Sequence, residues 1–340
     1  ADIGSITTLP AARQLNNCFP TARGTVCITS DPCFVDPAHG DYRLSKNSPC
    51  IGAGTNGCDI GCFAYVPAAF ECGIDYAGIT PTAARTGSFT AMARGTDATD
   101  VTFSWKVNGG EWTEYSAETA ATLDLATGRN TVHLRAKNGA GTVVEGEREV
   151  IVAPETVYLS KTSTPAEPYD DPAIAANDLK VALAFCAAGT TLVVDDGDYG
   201  VDGEAVVDQD VTIRSVNGPA KTSIYRIGKQ NDANARQCRV MRVRTAGTVL
   251  SGLTLSNGCY SVIKTIDSAS CLLMNGATMT NCVVTKNWLT PNDYRGGAVW
   301  SNGGKIYNSI IENNTGGGKY GGGLRQFGAN PLIADSIIRN

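Results

Sequence analysis

The stretch NPLIADSIIRN (330–340) decides the fold, because its combination of apolar residues and a closing asparagine occurs three more times upstream. The earlier copies are LTLSNG, VVTKN and IIENN, and successive asparagines lie 30, 27 and 26 residues apart. A period of this length is typical of a solenoid, in which each coil buries its apolar face only by stacking on its neighbours. The asparagines of the repeat are Asn257, Asn287, Asn314 and Asn340.

Asparagine and glycine suit the corners of such coils. Asparagine tolerates left-handed backbone, and its amide can bond to the amide of the next coil. Glycine pairs, as in GGAVW (296–300) and GGGL (321–324), allow turns that a β-carbon would prevent. The repeat therefore predicts short strands separated by tight corners.

Composition narrows the classes of function. The 340 residues carry a formal net charge of -5, whereas nucleic-acid-binding proteins usually have a basic excess. The sequence contains no run of 18 apolar residues and no signal-peptide core, so we expect neither a membrane-spanning helix nor a leader within it. With 38 glycines and 18% charged residues, short strands and turns are favoured over long charged helices.

Twelve cysteines indicate a secreted protein with disulfides. We expect at least one disulfide within residues 18–72, which contain seven of the twelve. For the five cysteines after residue 185, burial as reduced thiols is an equal alternative. A zinc site is disfavoured, because the only histidines are His39 and His133 and no CxxC pair exists.

Residues 80–153 form the clearest independent unit. In VTFSWKV (101–107), apolar and polar residues alternate, which places Phe103 and Trp105 on one buried face of a strand. Further short alternating segments follow at close spacing, with turn residues between them and no helical pattern. This organisation predicts a small β-sandwich of the Ig-like type.

Residues 154–340 begin with a different pattern. We predict one amphipathic helix over DDPAIAANDLKVALAFCAAG (170–189), with Asp171 as N-cap, Pro172 in the first turn and Gly189 after the last. Such a helix would cover the open apolar end of the first coil. Residues 1–75 are rich in Asp-Pro, glycine and cysteine, so from their residues alone they are irregular and cross-linked.

Three segments resemble one class of protein. DPCFVDPAHGDYRLSKNSPCIGAG (31–54), followed by DIGCFAY (59–65), resembles the closing segment of right-handed parallel β-helix proteins of the pectin-lyase-like type. Residues 157–220 resemble the opening segment of such a helix. GGAVW and IENN are similar to repeats of polymorphic outer-membrane proteins and adhesins, with Ile311 where that pattern has phenylalanine.

The resemblance implies three domains in an unusual order. Residues 1–75 are the C-terminal-type closing segment, 80–153 an Ig-like or fibronectin-like module, and 154–340 the N-terminal cap and first coils of a β-helix. We therefore expect copies, or tandem repeats of one polypeptide, to join head to tail by completing a shared β-helix. The expected joining ends are Ile3, Ile6, Leu332, Ile333, Ile337 and Ile338.

Enzymatic chemistry is the less favoured alternative. Asp195, Asp196 and Asp198 in DDGDY are candidates for catalysis or calcium binding, but a turn after a strand explains them better. GGGKYGGG (316–323) lacks the Lys-Ser/Thr ending of a phosphate loop. Sugar stacking is an alternative use for Trp112, Trp288, Trp300 and Tyr294.

We predict an all-β, extracellular or cell-surface structural protein that forms a filament, sheath or stalk, is not an enzyme, and needs no cofactor or metal. Its predicted partners are further copies of itself and, as a second option, an extracellular polysaccharide, with no nucleic acid and no membrane span. The alternatives are a spacer within a giant adhesin and a carbohydrate-active β-helix lyase or hydrolase.

Overall fold

A computed structural model describes residues 31–37, 41–54, 57–61, 63–229, 238–260, 269–289, 297–316 and 322–339. The chain divides into two compact units, Ala1–Val152 and Ala153–Asn340. Within the described ranges both units are built from β-strands with very little helix, and the second is a parallel solenoid, so the predicted fold class is confirmed. No helix in these ranges is long and apolar enough to cross a lipid bilayer.

The first unit contains a β-sandwich of two three-stranded antiparallel sheets, whose shared core includes Phe89, Trp105 and Leu134. The predicted sandwich is confirmed, while its relationship to Ig-like modules stays a prediction. Its first strand begins at Glu71, ahead of the predicted boundary at residue 80. The sheets are β3 (Glu71–Tyr76), β4 (Thr86–Arg94) and β6 (Ala120–Asp124), and β5 (Thr102–Val107), β7 (Gly128–Lys137) and β8 (Val143–Val152).

The segment before the sandwich protects an exposed strand edge. It contains one antiparallel pair, β1 (Phe34–Asp36) and β2 (Asp41–Leu44), followed by turns. Lys46 Nζ and Asn47 Nδ2 donate hydrogen bonds to the carbonyl oxygens of Glu145 (2.9 Å) and Glu147 (3.0 Å) on β8. An edge strand covered in this way is a poor template for unwanted strand pairing. The assignment of residues 1–75 as a β-helix closing segment stays a prediction.

Several cysteines are buried thiols. Burial raises the pKa of Cys33 and Cys72 in the first unit to about 11. In the second unit burial raises the pKa of Cys186 to about 12 and that of Cys282 to about 11. Such groups stay protonated and unreactive, as the buried-thiol alternative requires. The disulfide expected within residues 18–72 stays a prediction, since Cys18, Cys27 and Cys62 lie outside the described residues.

The second unit is a right-handed parallel β-helix with three sheets. Sheet A comprises β9 (Thr156–Leu159), β10 (Thr191–Val194), β13 (Thr212–Ser215), β16 (Val249–Ser251), β20 (Thr278–Thr280), β24 (Lys305–Tyr307) and β27 (Leu332–Ala334). Sheet B comprises β11 (Gly197–Val201), β14 (Thr222–Arg226), β17 (Thr254–Ser256), β21 (Val283–Thr285), β25 (Ile310–Glu312) and β28 (Ile337–Ile338). Sheet C comprises β12 (Ala205–Val207), β15 (Met241–Val243), β19 (Ala269–Asn275), β23 (Gly297–Asn302) and β26 (Leu324–Phe327). A short pair, β18 (Cys259–Tyr260) and β22 (Trp288–Leu289), follows sheet B.

Each coil places an apolar side chain at the same inward position as the coil before it. Leu250, Met279 and Ile306 are register partners in sheet A, and all three have no accessible surface. In sheet B, Val284 and Ile311 are partners of the same kind. Because each fully buried aliphatic side chain contributes about 1.5–3 kcal/mol, this stacking of inward positions stabilises the solenoid.

Left-handed residues form the corners. The chain turns from sheet A to sheet B at Asn281 and Asn308, and from sheet C to sheet A at Gly276 and Gly303. After sheet B the left-handed residues are Asn257, Lys286 and Asn313. The prediction that the repeat asparagines take this conformation is confirmed at Asn257, but in the next two coils the preceding residue takes it.

The asparagine that follows the corner bonds to the next coil. Asn287 Nδ2 donates to Asn314 Oδ1 at 2.9 Å, and the same oxygen accepts from the Asn287 backbone N–H at 3.1 Å. Asn287 Oδ1 accepts from the Gly258 N–H at 2.7 Å. Both side chains are buried, so the predicted amide contact between coils is confirmed. We call these contacts the asparagine ladder. Because the side chains of Asn287 and Asn314 face inward to form it, the left-handed corner residue is the one before each of them.

The cap differs from the long helix predicted over 170–189. A 3-10 helix covers Pro172–Ile174 and a short α-helix, α1, covers Leu179–Leu183. Between the two helices, the backbone of Ala176 pairs with β9 and the residue that follows it. The Ala176 N–H donates to Tyr158 O (2.9 Å), and the Ala176 carbonyl oxygen accepts from the Ser160 N–H (2.8 Å). This strand-like pairing excludes helical backbone at that point. The buried side chains of the cap are Ala175, Ala176, Leu179, Ala182, Phe185, Cys186 and Ala187.

We predict that Asn287→Ala lowers the free energy of unfolding by about 1–3 kcal/mol, because the buried Gly258 N–H and Asn314 amide lose their partner. Urea denaturation followed by circular dichroism measures the change. The control is Asn217→Ala, which removes an exposed amide bonded to Asp196 and should cost less than about 0.5 kcal/mol. Equal effects of the two variants would show that the ladder does not stabilise the coils.

Candidate functional site

The outward face of sheet C carries a row of polar side chains that ends in an aromatic ring. Along each strand these residues alternate with the inward ones, and Asn275, Asn302 and Phe327 are partners in successive strands. Arg244 extends the row and donates to Asp208 Oδ1 at 3.2 Å. All five are exposed or half-buried. We call Asp208, Arg244, Asn275, Asn302 and Phe327 the polar row; four strand spacings give it a length of ~19 Å.

A second outward row lies beside the polar row. Arg242, Leu273, Trp300 and Arg325 are register partners in β15, β19, β23 and β26. Leu273 and Trp300 face outward yet are only 4% and 5% exposed, and they pack with Ala269 and Phe327. The Trp300 and Phe327 rings meet edge to face, with centroids 4.3 Å apart.

Trp300 carries an unpaired polar atom. Its Nε1 is buried and has no hydrogen-bond acceptor among the residues that the structure describes. A buried donor without a partner costs about 1–3 kcal/mol, so native proteins rarely retain one without a reason. This indole N–H lies beside a row of amides and an aromatic ring, and a ligand's acceptor oxygen reaches it only when the side chains that bury it move aside.

The carboxylates next to these rows are paired with arginines. Glu204 Oε1 accepts from Arg239 Nη1 at 2.9 Å and from Arg242 Nε at 3.2 Å. Glu204 and Asp208 flank β12 four residues apart, which separates them by ~13 Å of extended chain. Paired catalytic carboxylates of glycoside hydrolases lie closer, at about 5–9.5 Å. The geometry of the two carboxylates therefore does not match a catalytic pair. Glu204 holds Arg239 and Arg242 in place, and Asp208 holds Arg244.

The predicted acidic candidates lie elsewhere, at the cap end of the solenoid. Asp195 Oδ2 accepts from Ser160 Oγ (3.0 Å), and Asp196 Oδ1 accepts from Asn217 Nδ2 (3.1 Å). Asp198 is exposed on β11. A cavity of about 150 Å³ lies beside Asp195. Within the described residues, no group of three or more His, Cys, Asp or Glu side chains is arranged to hold a metal ion. These contacts fit the turn interpretation.

Of the predicted sugar-stacking aromatics that the structure describes, Trp300 lies in the second row, beside the polar row. Trp112 makes cation–π contacts with two basic side chains of the same unit. The Arg135 guanidinium lies 4.0 Å and Lys106 Nζ 4.8 Å from the centroid of its ring. Trp288 is half-buried on β22, and Tyr294 lies outside the described residues. Sequence reasoning missed Asn275, Asn302 and Phe327. The available signal was the separation of Asn275 from Asn302, which equals the 27 residues between Asn287 and Asn314.

The last described coil leaves inward-facing groups open. Ile333 and Ile338 are partners of the fully buried Ile306 and Ile311, yet they are 42% and 47% exposed. Gln326 also faces inward; its Nε2 donates to Gly304 O at 2.9 Å, but its buried Oε1 has no partner within the described part of the chain. We call Leu324, Gln326, Ile333 and Ile338 the coil end. Of the predicted joining residues, Leu332 and Ile337 face outward, and Ile3 and Ile6 lie outside the described residues.

No protein-family profile matches the chain, and no curated protein matches it in sequence. Among solved structures, it is similar to the catalytic domain of a GH87 α-1,3-glucanase in complex with nigerose, at 13% identity and a TM-score of 0.28. That alignment covers 77% of this chain and 58% of the glucanase domain. It is also similar to a family 28 exopolygalacturonase of Yersinia enterocolitica, at 9% identity and a TM-score of 0.23, covering 78% and 69% of the two chains.

The comparisons correct one expectation. We expected a protein that is not an enzyme, whereas the two solved structures named above are glycoside hydrolases, and that expectation is withdrawn. The chain spans 58% of the first of these, and the substrates of either protein are not transferred to it. The β-helix itself is established by the strand register of sheets A, B and C.

We predict that Trp300→Phe changes the free energy of unfolding by less than about 1 kcal/mol, because removing the unpaired donor offsets the lost packing. Leu273→Ala, at the neighbouring buried position, should cost about 2–5 kcal/mol. Urea denaturation of both variants provides the comparison. A loss for Trp300→Phe as large as that for Leu273→Ala would mean that the indole N–H has a partner in the unliganded protein.

Proposed function

We propose that the second unit is a carbohydrate-active β-helix that holds an extended polysaccharide along the polar row. A polysaccharide chain presents hydroxyl groups at regular intervals, and the parallel strands present side chains at intervals of about 4.8 Å. The amides of Asn275 and Asn302 can each donate and accept hydrogen bonds. The half-buried Phe327 offers an apolar ring surface to a sugar face.

The unpaired Nε1 of Trp300 is the single observation that carries this proposal. A sugar hydroxyl or ring oxygen is an acceptor of the required kind, and a ligand on the polar row would bring it to the adjacent row. Arg242 and Arg325 occupy the two ends of that second row. Charged, amide and aromatic groups thus alternate over a single flat sheet face.

We also propose that the protein is secreted or lies on the cell surface, where extended polysaccharides occur. This location is supported by the similarity of GGAVW and IENN to repeats of surface proteins and by the high cysteine content. No resident cofactor takes part in the proposed function, since hydrogen bonding and ring stacking account for the binding.

We expect Phe327→Ala to weaken polysaccharide binding roughly tenfold, which corresponds to about 1.4 kcal/mol of lost contact. Affinity electrophoresis with soluble α-glucan, xylan, alginate and polygalacturonate identifies the ligand, and calorimetry with that ligand measures the change. The matched control is Tyr307→Ala, since Tyr307 is a half-buried outward aromatic on sheet A. Unchanged binding by the Phe327 variant, or equal losses in both, would contradict the proposal.

The same panel tests activity. Release of reducing ends reports hydrolysis, and an unsaturated uronate product reports elimination. Turnover of a polysaccharide that the polar row binds, reduced by Phe327→Ala and not by Tyr307→Ala, is the result expected of a carbohydrate-active enzyme. Turnover insensitive to Phe327→Ala would place the active site elsewhere.

A second candidate function is supported by the coil end. Ile333 and Ile338 are exposed at positions that every preceding coil buries, and Gln326 Oε1 lacks a donor. A further coil stacked there would cover these side chains and supply backbone donors to β26, β27 and β28. We propose that copies of this chain, or tandem repeats of one polypeptide, join head to tail through this surface, forming a filament, sheath or stalk.

We predict that Ile338→Asp reduces self-association at least tenfold, because a carboxylate would be buried without a partner in the joint. The neighbouring Ile337→Asp is the control, since Ile337 is similarly exposed at 49% but faces outward. Analytical ultracentrifugation over a range of concentrations measures both. Equal association of the two variants and the wild type would refute joining through the coil end.

A further inference from the structure

We infer that Cys238 and Cys259 form a disulfide that links two successive coils of the solenoid when the protein meets an oxidising environment. The two cysteines lie 21 positions apart in the sequence. Cys238 lies between β14 and β15 of one coil, and Cys259 begins β18 in the next coil. We call these two residues the coil-linking pair. The inference goes beyond polysaccharide binding and does not depend on it.

The backbones of the coil-linking pair are in direct contact. The Cys259 N–H donates to the Cys238 carbonyl oxygen at 3.1 Å. A backbone hydrogen bond of this length places the two Cα atoms about 5–6 Å apart. Disulfides join cysteines whose Cα atoms are about 4.4–6.8 Å apart. The folded backbone therefore already meets the distance requirement, and the bond requires that the two side chains rotate toward each other.

Neighbouring contacts hold both backbones in place. Two residues after Cys238, the Val240 N–H donates to Cys271 O at 2.9 Å, which ties this part of the chain to the next coil. Directly before Cys259, the Gly258 N–H donates to the asparagine ladder at 2.7 Å. Because the backbone is already ordered on both sides, forming the bond costs little further conformational entropy in the folded protein.

The other three of the five cysteines in the second unit are engaged elsewhere. The thiols of Cys186 and Cys282 donate to nearby backbone carbonyl oxygens at 3.4 Å and 3.2 Å. Cys271 is fully buried, its side chain is hydrogen-bonded to that of Asn287, and burial raises the pKa of its thiol. Buried protonated thiols of this kind are unreactive. The coil-linking pair is therefore the best candidate for a disulfide among the cysteines of this unit, all five of which the structure describes.

The oxidation is a thiol–disulfide exchange with a small external disulfide such as oxidised glutathione. The structure contains both cysteines in the thiol form; Cys238 is half-buried and meets the oxidant first, whereas Cys259 is 1% exposed. The Cys238 thiolate attacks one sulfur of the oxidant and releases one thiol. The Cys259 thiolate then attacks the Cys238 sulfur and releases the second. The pair loses two electrons and two protons, which leave as the hydrogens of the two released thiols.

The bond also anchors one end of the outward face of sheet C. Arg239, directly after Cys238, donates to Glu204 Oε1 at 2.9 Å. The same oxygen accepts from Arg242 Nε at 3.2 Å, and Arg242 is the first member of the second outward row. A disulfide at Cys238 thus fixes the chain that carries this ion-pair network.

Peptide mapping of the full chain tests the inference directly. The protein is equilibrated with oxidised and reduced glutathione, its remaining thiols are alkylated, and it is digested with trypsin without reduction. Cleavage after arginine and lysine places Cys238 in residues 237–239 and Cys259 in residues 245–264. We expect mass spectrometry to find these two peptides as one linked species. A link from Cys259 to Cys271, or alkylation of both members of the pair in the oxidised protein, would overturn the inference.

A stability measurement separates this disulfide from other cysteines of the chain. Adding a reductant should lower the midpoint of thermal unfolding of the oxidised wild type by roughly 5–10 °C, because the link restricts the unfolded chain. Cys238→Ala should reduce that shift, since one of the two sulfurs is gone. The matched control is Cys186→Ala, which removes a buried thiol outside the pair and should leave the shift at its wild-type size. A shift of equal size in Cys238→Ala and the wild type would contradict the inference.

Discussion

The stacking of each inward side chain on its counterpart one coil earlier is the interaction on which the second unit depends. Leu250, Met279 and Ile306 show it in sheet A, and the Asn287–Asn314 ladder repeats it with hydrogen bonds. Left-handed residues recur at equivalent corners of successive coils, at Gly276 and Gly303 and at Asn281 and Asn308, and the strands between these corners are in register. The same register determines the outside of the solenoid, because a fixed inward position fixes its outward neighbours. The polar row is therefore a consequence of core packing.

The sequence predicts those features that repeat locally. The spacing of the repeat asparagines predicted the solenoid, and the alternation of apolar and polar residues around Phe103 and Trp105 predicted the sandwich. A capping helix does lie within 170–189, but its length was predicted wrongly, because the pairing of Ala176 with β9 is a tertiary contact with no local signal. The polar row was missed for a related reason: Asn302 and Phe327 are distant in sequence and become neighbours only through strand register.

Two surfaces of the solenoid follow from one architecture. Its side exposes evenly spaced polar groups, while its last described coil exposes apolar groups. The two uses do not compete, because the polar row faces outward from sheet C and the coil end lies across the solenoid axis. A carbohydrate-active chain that also joins to its own copies would hold many ligand rows in sequence.

The central claim is that the polar row binds the ligand and that Trp300 Nε1 donates to it. The most direct measurement is a crystal structure of the chain with an oligosaccharide from the polysaccharide that binds most tightly. The account predicts that the oligosaccharide lies across β15, β19, β23 and β26, with an acceptor oxygen about 3 Å from Trp300 Nε1. An oligosaccharide bound on another face, with the indole N–H still unpaired, would contradict it.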